Sequence, residues 1–225
     1  MFRETCRKVR EAIYGVLCVS KLQDIQTADS GSGFMIAPGV IATVAHALHV
    51  NGDIGAPLHQ TFEVIRTPDI GDNMQFAHLI AEDIDRDLAL LRVESPHDYR
   101  YLRLVETIVP IGSKCGFQGF PLSSVEFKEE SLNLTLVERF QGAYISAYLT
   151  EIANNRDLEW YETDQLMYSG SSGCPGFLLD GRIFGMQSNT LTAEETGDES
   201  KRLSIARQVP STEILAFARA NGISL

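Results

Sequence analysis

The sequence predicts an all-β domain with a short helix at each end. The chain has 225 residues, which suits one compact unit or two small β-barrels that share an interface. From Gly15 to about Pro210, short apolar runs alternate with Gly, Pro, Asn and Asp, a pattern typical of the strands and turns of a sandwich or barrel. At both ends, apolar residues recur instead at helical spacing.

The terminal segments predict one helix each. At the start, charged residues separate four apolar residues at helical spacing: Phe2, Cys6, Val9 and Ile13. At the end, Ser211 as an N-cap and Gly222 as a stop predict a helix over 211–221.

Between the helices, the apolar runs predict strands and the polar runs predict loops. A polar stretch at 121–130 and another at 190–202 are predicted as loops. The strand signal pauses near Pro96, where we expect a link between two barrels. The predicted strands lie at 16–19, 33–36, 40–43, 88–93, 135–137, 176–179 and 182–186.

Composition excludes several classes of protein. The net charge of −11, from 30 acidic and 19 basic residues, argues against nucleic-acid binding, because neutralising phosphates needs a basic face. The longest apolar stretch near the start is far shorter than the roughly 20 residues of a membrane-spanning helix, and the charged N-terminus does not look like a secretory signal. We therefore expect a cytoplasmic protein without membrane contact. Its four cysteines, none in a C-x-x-C pair, are expected to be reduced thiols: Cys6, Cys18, Cys115 and Cys174.

The first segment with candidate chemistry ends at His46, after two apolar strands that flank a Pro-Gly turn. A single histidine is more often structural than catalytic. His49 follows three residues later, so zinc binding has to be considered. No Glu or Cys stands nearby at ligand spacing, and we expect neither a metal nor another cofactor.

The second segment places three acids before an apolar run. Asp83 and Asp85 are interpreted as part of a solvated acidic turn. Asp87 directly adjoins the run, so it is expected to be partly buried where a histidine can meet it.

The third segment surrounds Ser172 with small residues, from Gly170 to Gly173. Alone, this pattern also suits an ordinary turn. Small residues around a nucleophile do let backbone N–H groups point toward the same place as its hydroxyl.

Together and in this order, the three segments resemble the trypsin-like peptidases, and the HtrA-type branch more closely than the digestive one. The resemblance covers roughly Ile13 to Phe217. It implies a chymotrypsin-like fold of two six-stranded antiparallel Greek-key barrels, over 13–97 and 98–210, within a single domain spanning 1–225. The matching motifs are Gly-Ser-Gly-Phe34, Thr-Val-Ala-His46, Arg-Asp87-Leu-Ala-Leu-Leu-Arg-Val and Gly170-Ser-Ser-Gly-Cys-Pro175.

The resemblance also implies roles for individual residues. Ser172 would be the nucleophile, His46 the base and Asp87 the acid that orients the base. Backbone groups of Gly170, Ser171 and Ser172 would form the oxyanion hole. Leu166 would lie at the base of the specificity pocket, where the absence of an acid predicts an apolar preference and not one for Arg or Lys. The predicted lining of the pocket is Met167, Met186, Gln187 and Ser188.

The chain departs from the family pattern in two places and leaves alternatives open. Ser171 stands where digestive enzymes carry the Asp that pairs with a new N-terminus, and Cys174 replaces a glycine. No PDZ module is expected. A serine endopeptidase acting on polypeptides is the prediction. The alternatives are a non-catalytic binding module, an enzyme held inactive until a protein partner orders its loops, and a cysteine peptidase using Cys174.

Overall fold

Two closed six-stranded antiparallel barrels form the chain, which confirms the predicted all-β, chymotrypsin-like class. The computed structural model describes residues 2–22, 25–66, 74–94, 100–128, 131–192 and 202–225. The first barrel has the order β1-β2-β3-β6-β5-β4. Its strands are β1 (Ile13–Leu22), β2 (Ile25–Ala37), β3 (Val40–Thr43), β4 (Thr61–Arg66), β5 (Met74–Asp83) and β6 (Leu88–Val93).

The second barrel follows the same plan and carries an extra hairpin. Its strands are β7 (Lys114–Gly119), β10 (Arg139–Ala153), β11 (Arg156–Thr163), β12 (Pro175–Leu178), β13 (Ile183–Thr192) and β14 (Arg202–Pro210). They close in the order β10-β11-β14-β13-β12-β7. The hairpin consists of β8 (Ser124–Lys128) and β9 (Ser131–Thr135). The loop predicted over 121–130 is therefore wrong in part, because β8 pairs with β9 along its whole length.

Two other boundaries differ from their predictions or fall outside the description. The loop predicted over 190–202 begins in β13 and ends in β14, while 193–201 lies outside the described residues. The predicted link between the barrels near Pro96 also lies outside them. The predicted strand 135–137 extends too far, because β9 ends at Thr135.

Both predicted helices are present, but each differs in part from its prediction. They are α1 (Arg3–Arg10) and α2 (Ser211–Ala220). The first ends before Ile13, because Ile13 pairs with Phe34 as the first residue of β1. In the second, the Ser211 hydroxyl does not cap the helix: it donates to the Val105 carbonyl oxygen at 2.6 Å. Within the described ranges, no helix is both long and apolar enough to cross a membrane.

The largest apolar cluster joins the two barrels. It contains Phe34, Leu48 and Leu90 of the first barrel together with Phe120 and Phe177 of the second. Burial of these side chains stabilises the relative placement of the barrels as well as each barrel alone. Helix α1 adds to this contact, since Phe2 packs edge-on against Phe177 with ring centroids 5.8 Å apart.

An ionic cluster ties the turn after β5 to the second barrel. Asp83 accepts hydrogen bonds from Arg86 Nη1 at 2.9 Å and from Arg156 Nη2 at 2.8 Å. Arg156 Nη1 also donates to Asp85 at 2.9 Å, and Arg86 pairs with Glu213 of α2. The interpretation of Asp83 and Asp85 as a solvated turn is therefore wrong, because both carboxylates bind an arginine from the β10–β11 hairpin.

The Asp83 carboxyl makes this cluster sensitive to acid. Burial disfavours its charged form, but the hydrogen bonds from Arg156 and Arg86 outweigh burial and hold its pKa below the usual range. A carboxyl with a lowered pKa stabilises the fold fully above its pKa in the unfolded chain, about 3.9. That contribution is lost as the pH falls through the lower pKa of the folded state.

Asp83→Asn is expected to lower the thermal midpoint at pH 7 by about 2–5 °C. It is also expected to flatten the decline of the unfolding free energy below about pH 4, since one fewer group takes up a proton on unfolding. Thermal unfolding at pH 7 measures the first effect, and urea denaturation from pH 3 to pH 7 measures the second. The control is Asp157→Asn, at an exposed position of the β10–β11 hairpin. Parallel pH curves for wild type and Asp83→Asn would contradict the role of Asp83.

Candidate active site

His46 and Asp87 meet at one edge of the first barrel. His46 opens a short 3₁₀ turn directly after β3, and Asp87 directly precedes β6, the strand that pairs with β3. The Asp87 Oδ2 lies 2.8 Å from His46 Nδ1, and its Oδ1 accepts the His46 backbone N–H at 2.9 Å. These two contacts fix the imidazole plane and leave Nε2 as the nitrogen not bonded to Asp87.

The backbone at Asp87 adopts an unusual conformation that aims its side chain. Its φ of +51° lies in the left-handed region, which Asp tolerates better than most non-glycine residues. The Asp87 N–H closes the turn by donating to the Ile84 carbonyl oxygen at 3.2 Å. This tight turn places the carboxylate on the histidine side of β6.

Ser188, a buried residue of β13, joins the pair from the second barrel. Its hydroxyl donates to Asp87 Oδ2 at 2.6 Å. Asp87 is therefore bonded by three groups, His46 Nδ1, the His46 N–H and the Ser188 hydroxyl, which fix the position of its side chain. The sequence had placed Ser188 only in the specificity pocket, and no local pattern in the sequence indicates this contact between barrels.

Ser172 lies across the same cleft, at the turn that precedes β12. Its hydroxyl donates to the Ser188 carbonyl oxygen at 3.3 Å. Among the described residues it has no hydrogen bond with His46. A serine hydroxyl moves between staggered rotamers about χ1, and catalytic hydrogen bonds are often long or misaligned before substrate binds.

Two backbone N–H groups beside Ser172 are free. Within the described part of the chain, neither Gly170 N–H nor Ser172 N–H has an acceptor, whereas Ser171 N–H donates to the Tyr168 carbonyl oxygen at 2.9 Å. Ser171 therefore offers no third donor. Gly170 has a φ of +84°, and a Cβ there would lie 2.7 Å from the Phe120 carbonyl oxygen. The position requires glycine on both grounds.

A cleft of about 390 Å³ adjoins these groups. Of the residues predicted for the specificity pocket, Met167, Gln187 and Ser188 line it. Leu166 and Met186 do not: Leu166 is partly exposed outside the lining, and Met186 is fully buried. The sequence missed four members of the lining that carry no recognisable motif: Tyr168, Ser169, Asn189 and Thr190.

The remaining polar candidates have structural partners. His49 contacts the Ala56 carbonyl oxygen through Nδ1 and Glu82 through Nε2. In the part of the chain that is described, no three His, Cys, Asp or Glu side chains group as metal ligands.

Cys174 is chemically unsuited to act as a nucleophile. The residue is buried, and burial raises the pKa of its thiol to about 12. The thiolate is the reactive form of cysteine, so at neutral pH this thiol is almost entirely unreactive. This argues against the cysteine peptidase alternative.

Comparison with known proteins identifies the family of this chain. A family model described as "Trypsin-like peptidase domain" matches residues 31–186, which is more than half of the chain. The chain therefore belongs to the trypsin-like peptidase family.

Similar proteins are of the HtrA type. The chain is 27% identical over 168 residues to a probable periplasmic serine endoprotease, DegP-like, of Rickettsia prowazekii, covering 70% of this chain and 28% of that protein. It is 29% identical over 177 residues to the mitochondrial serine protease HTRA2 of Drosophila ananassae, covering 74% and 35%. The chain thus spans about a third of the length of these relatives.

Solved structures show the same fold. The active form of the Rv3671c protease of M. tuberculosis superposes with a TM-score of 0.72 at 16% identity, covering 98% of this chain and 85% of that one. Its inactive form gives a TM-score of 0.68 at 15% identity, covering 97% and 92%.

Proposed function

We propose that this chain is a serine endopeptidase that hydrolyses polypeptides through Ser172, His46 and Asp87. The observation that carries the proposal is that one cleft is lined by His46, which Asp87 orients, and by Ser172, beside two N–H groups without an acceptor among the described residues. A nucleophile, a base and an oxyanion site are the parts that acyl transfer requires.

The proposed reaction proceeds through an acyl-enzyme. His46 Nε2 removes the Ser172 proton as Oγ attacks the peptide carbonyl carbon, and the carbonyl oxygen becomes an oxyanion held by Gly170 N–H and Ser172 N–H. The protonated His46 then gives its proton to the leaving amine as the C–N bond breaks. A water molecule, deprotonated by His46, hydrolyses the ester and releases Ser172.

Asp87 supports both halves of this cycle. Its hydrogen bond with Nδ1 keeps the proton on that nitrogen, so Nε2 is free to act as a base. The Ser188 hydroxyl and the His46 backbone N–H hold the carboxylate in place while the imidazolium forms.

The cleft supports a preference for uncharged side chains before the cleaved bond. Within the described residues its lining contains no acidic group, and the buried Met167 contributes an apolar surface. An arginine or lysine side chain would have no carboxylate to pair with there.

A second proposal is that the chain is a trypsin-like module activated by a protein partner. The observation that favours it is the bond from Ser172 Oγ to the Ser188 carbonyl oxygen in place of His46 Nε2. Binding of a partner or substrate would then turn the hydroxyl toward the base.

A fluorophosphonate probe tests the proposed function directly. Such reagents phosphonylate only an activated serine, so we expect the folded wild-type chain to be labelled at Ser172, confirmed by peptide mass spectrometry. Heat-unfolded protein is the control and should not react. An unlabelled folded chain that also fails to hydrolyse fluorescein-casein would contradict constitutive activity and favour the partner-activated module.

A further inference from the structure

The Ser169–Ser172 backbone is held peptide by peptide. The Ser169 carbonyl oxygen accepts the Leu122 N–H at 2.7 Å, and the Ser171 carbonyl oxygen accepts the Cys174 N–H at 2.9 Å. In a trans peptide, the N–H points opposite to the carbonyl. Anchoring these two carbonyls therefore turns Gly170 N–H and Ser172 N–H away from their anchors.

The peptide between these two and the peptide after Ser172 are both bonded to Ser32. The Gly170 carbonyl oxygen accepts the Ser32 hydroxyl at 3.0 Å, and the Ser172 carbonyl oxygen accepts the Ser32 N–H at 2.8 Å. The Ser32 hydroxyl also accepts the Phe120 N–H at 3.0 Å. Ser32 thus links β2 of the first barrel to both sides of the nucleophile.

The direction of the Gly170 N–H depends on this restraint. Gly170 has wide conformational freedom, and a small rotation of its flanking peptides would redirect its N–H. Digestive relatives hold the corresponding loop through a carboxylate at the position of Ser171, and Ser171 here has none. Its hydroxyl instead accepts the Tyr168 N–H at 3.2 Å, a contact within the loop itself.

Ser32 is fully buried and closely packed against the Ser172 turn. Its residue exposure is 0%, so water cannot replace its hydroxyl bonds. Its own carbonyl oxygen accepts the Thr43 hydroxyl at 2.8 Å. A Cβ at Gly173 would lie only 1.8 Å from that same oxygen. The Ser172 turn and the Ser32 backbone are therefore packed in direct contact.

We propose that Ser32, a residue of the first barrel, is a positioning residue whose hydroxyl holds the oxyanion hole in shape. In digestive relatives, a carboxylate at the position of Ser171 has this role. This proposal rests on the proposed peptidase function. Without the hydroxyl, the Gly170 carbonyl and the Phe120 N–H lose their partner in a buried place, which favours rotation of the Gly170–Ser171 peptide.

Ser32→Ala tests the proposal by its effect on kcat. With the p-nitrophenyl ester of acetyl-leucine as substrate, we expect kcat to fall about 10- to 100-fold, less than the 10²- to 10³-fold typical of deleting an oxyanion donor outright. KM and the acidic midpoint of the pH–rate profile should not change, because His46 and Asp87 are untouched. Affinity for acetyl-leucinal, whose adduct with Ser172 carries an oxyanion, should fall by the same factor as kcat/KM.

Ser211→Ala is the matched control. Ser211 is also buried and donates to a backbone carbonyl, that of Val105, but it lies outside the cleft lining. A merely structural role for Ser32 predicts that both variants lose stability and keep wild-type kcat per folded molecule. That result would overturn the proposal.

The pair Ser32→Thr and Ser32→Val is a second, independent test, in which both variants add the same bulk to the buried site and kcat is compared per folded molecule. The two side chains have nearly the same shape and differ by one hydroxyl. We expect Thr to exceed Val in kcat by the same 10- to 100-fold, and equal values would refute the role of the hydroxyl. Failure of the peptidase proposal looks different, since activity or labelling would then not depend on Ser172 in any of these proteins.

Discussion

Ser172→Ala is expected to lower kcat for peptide hydrolysis on the order of 10⁶-fold. The Ser172 hydroxyl oxygen is the only protein atom proposed to form a covalent bond with the substrate. Without it, only substrate binding and the oxyanion donors remain to assist attack by a water molecule. Hydrolysis of fluorescein-casein and of the p-nitrophenyl ester, followed over days, measures the residual rate. Fluorophosphonate labelling should disappear in the same variant.

Ser113→Ala provides the control for this measurement. It makes the same chemical change in a partly exposed residue outside the cleft lining, and its kcat should equal that of wild type. If Ser172→Ala keeps more than about a hundredth of wild-type activity after repurification, another residue supplies the nucleophile and the assignment fails.

Asp87→Asn is expected to lower kcat about 10⁴-fold at neutral pH, the effect of the equivalent change in a related protease. Asp87 accepts His46 Nδ1–H and the Ser188 hydroxyl on Oδ2, and the His46 backbone N–H on Oδ1. An asparagine has only one oxygen for these two sides. Its NH₂ group must therefore face either the His46 ring or the His46 backbone N–H, and the first arrangement selects the wrong tautomer.

A measurement of folding separates a tautomer effect from unfolding. Circular dichroism should show a folded Asp87→Asn variant with a kcat deficit. Asp85→Asn is the control, since it removes a charge two residues away that pairs with Arg156 on the surface. We expect its kcat to stay within about threefold of wild type. Equal losses in the two variants would mean that the acidic turn matters only for stability.

Much of the fold was predictable because alternating apolar runs and turn residues describe strands directly. The runs at 40–43 and 88–93 became β3 and β6, which pair with each other. The errors arose where tertiary partners outweigh local preference. Ser211 has the residue type of an N-cap, but its hydroxyl donates to the carbonyl oxygen of Val105, which lies 106 residues earlier in the chain. The β8 strand escaped prediction because its partner β9 supplies the pairing.

The three candidate catalytic residues are predicted from the order of their motifs. In the structure, His46 and Ser172 line one cleft, and Asp87 lies outside the lining, bonded to His46. Their roles, and the cytoplasmic location, stay predictions. Leu166 shows the limit of inference from the resemblance, since it lies outside the cleft lining although it stands six residues before Ser172. The partners of Asp83 were equally invisible, because Arg156 lies far along the chain.

The proposed triad could be predicted from the sequence because its three motifs, each next to a predicted strand, resemble in their order those of the trypsin-like peptidases. The bonds that hold the Ser169–Ser172 backbone became visible only in the tertiary structure. With Ser171 in place of an acid, the restraint comes from Ser32 and Leu122, which are distant in the chain and carry no charge or motif of their own. Hydrogen bonds to backbone carbonyls depend on where the peptide groups lie in space. The type of the donor residue therefore does not reveal these bonds in the sequence.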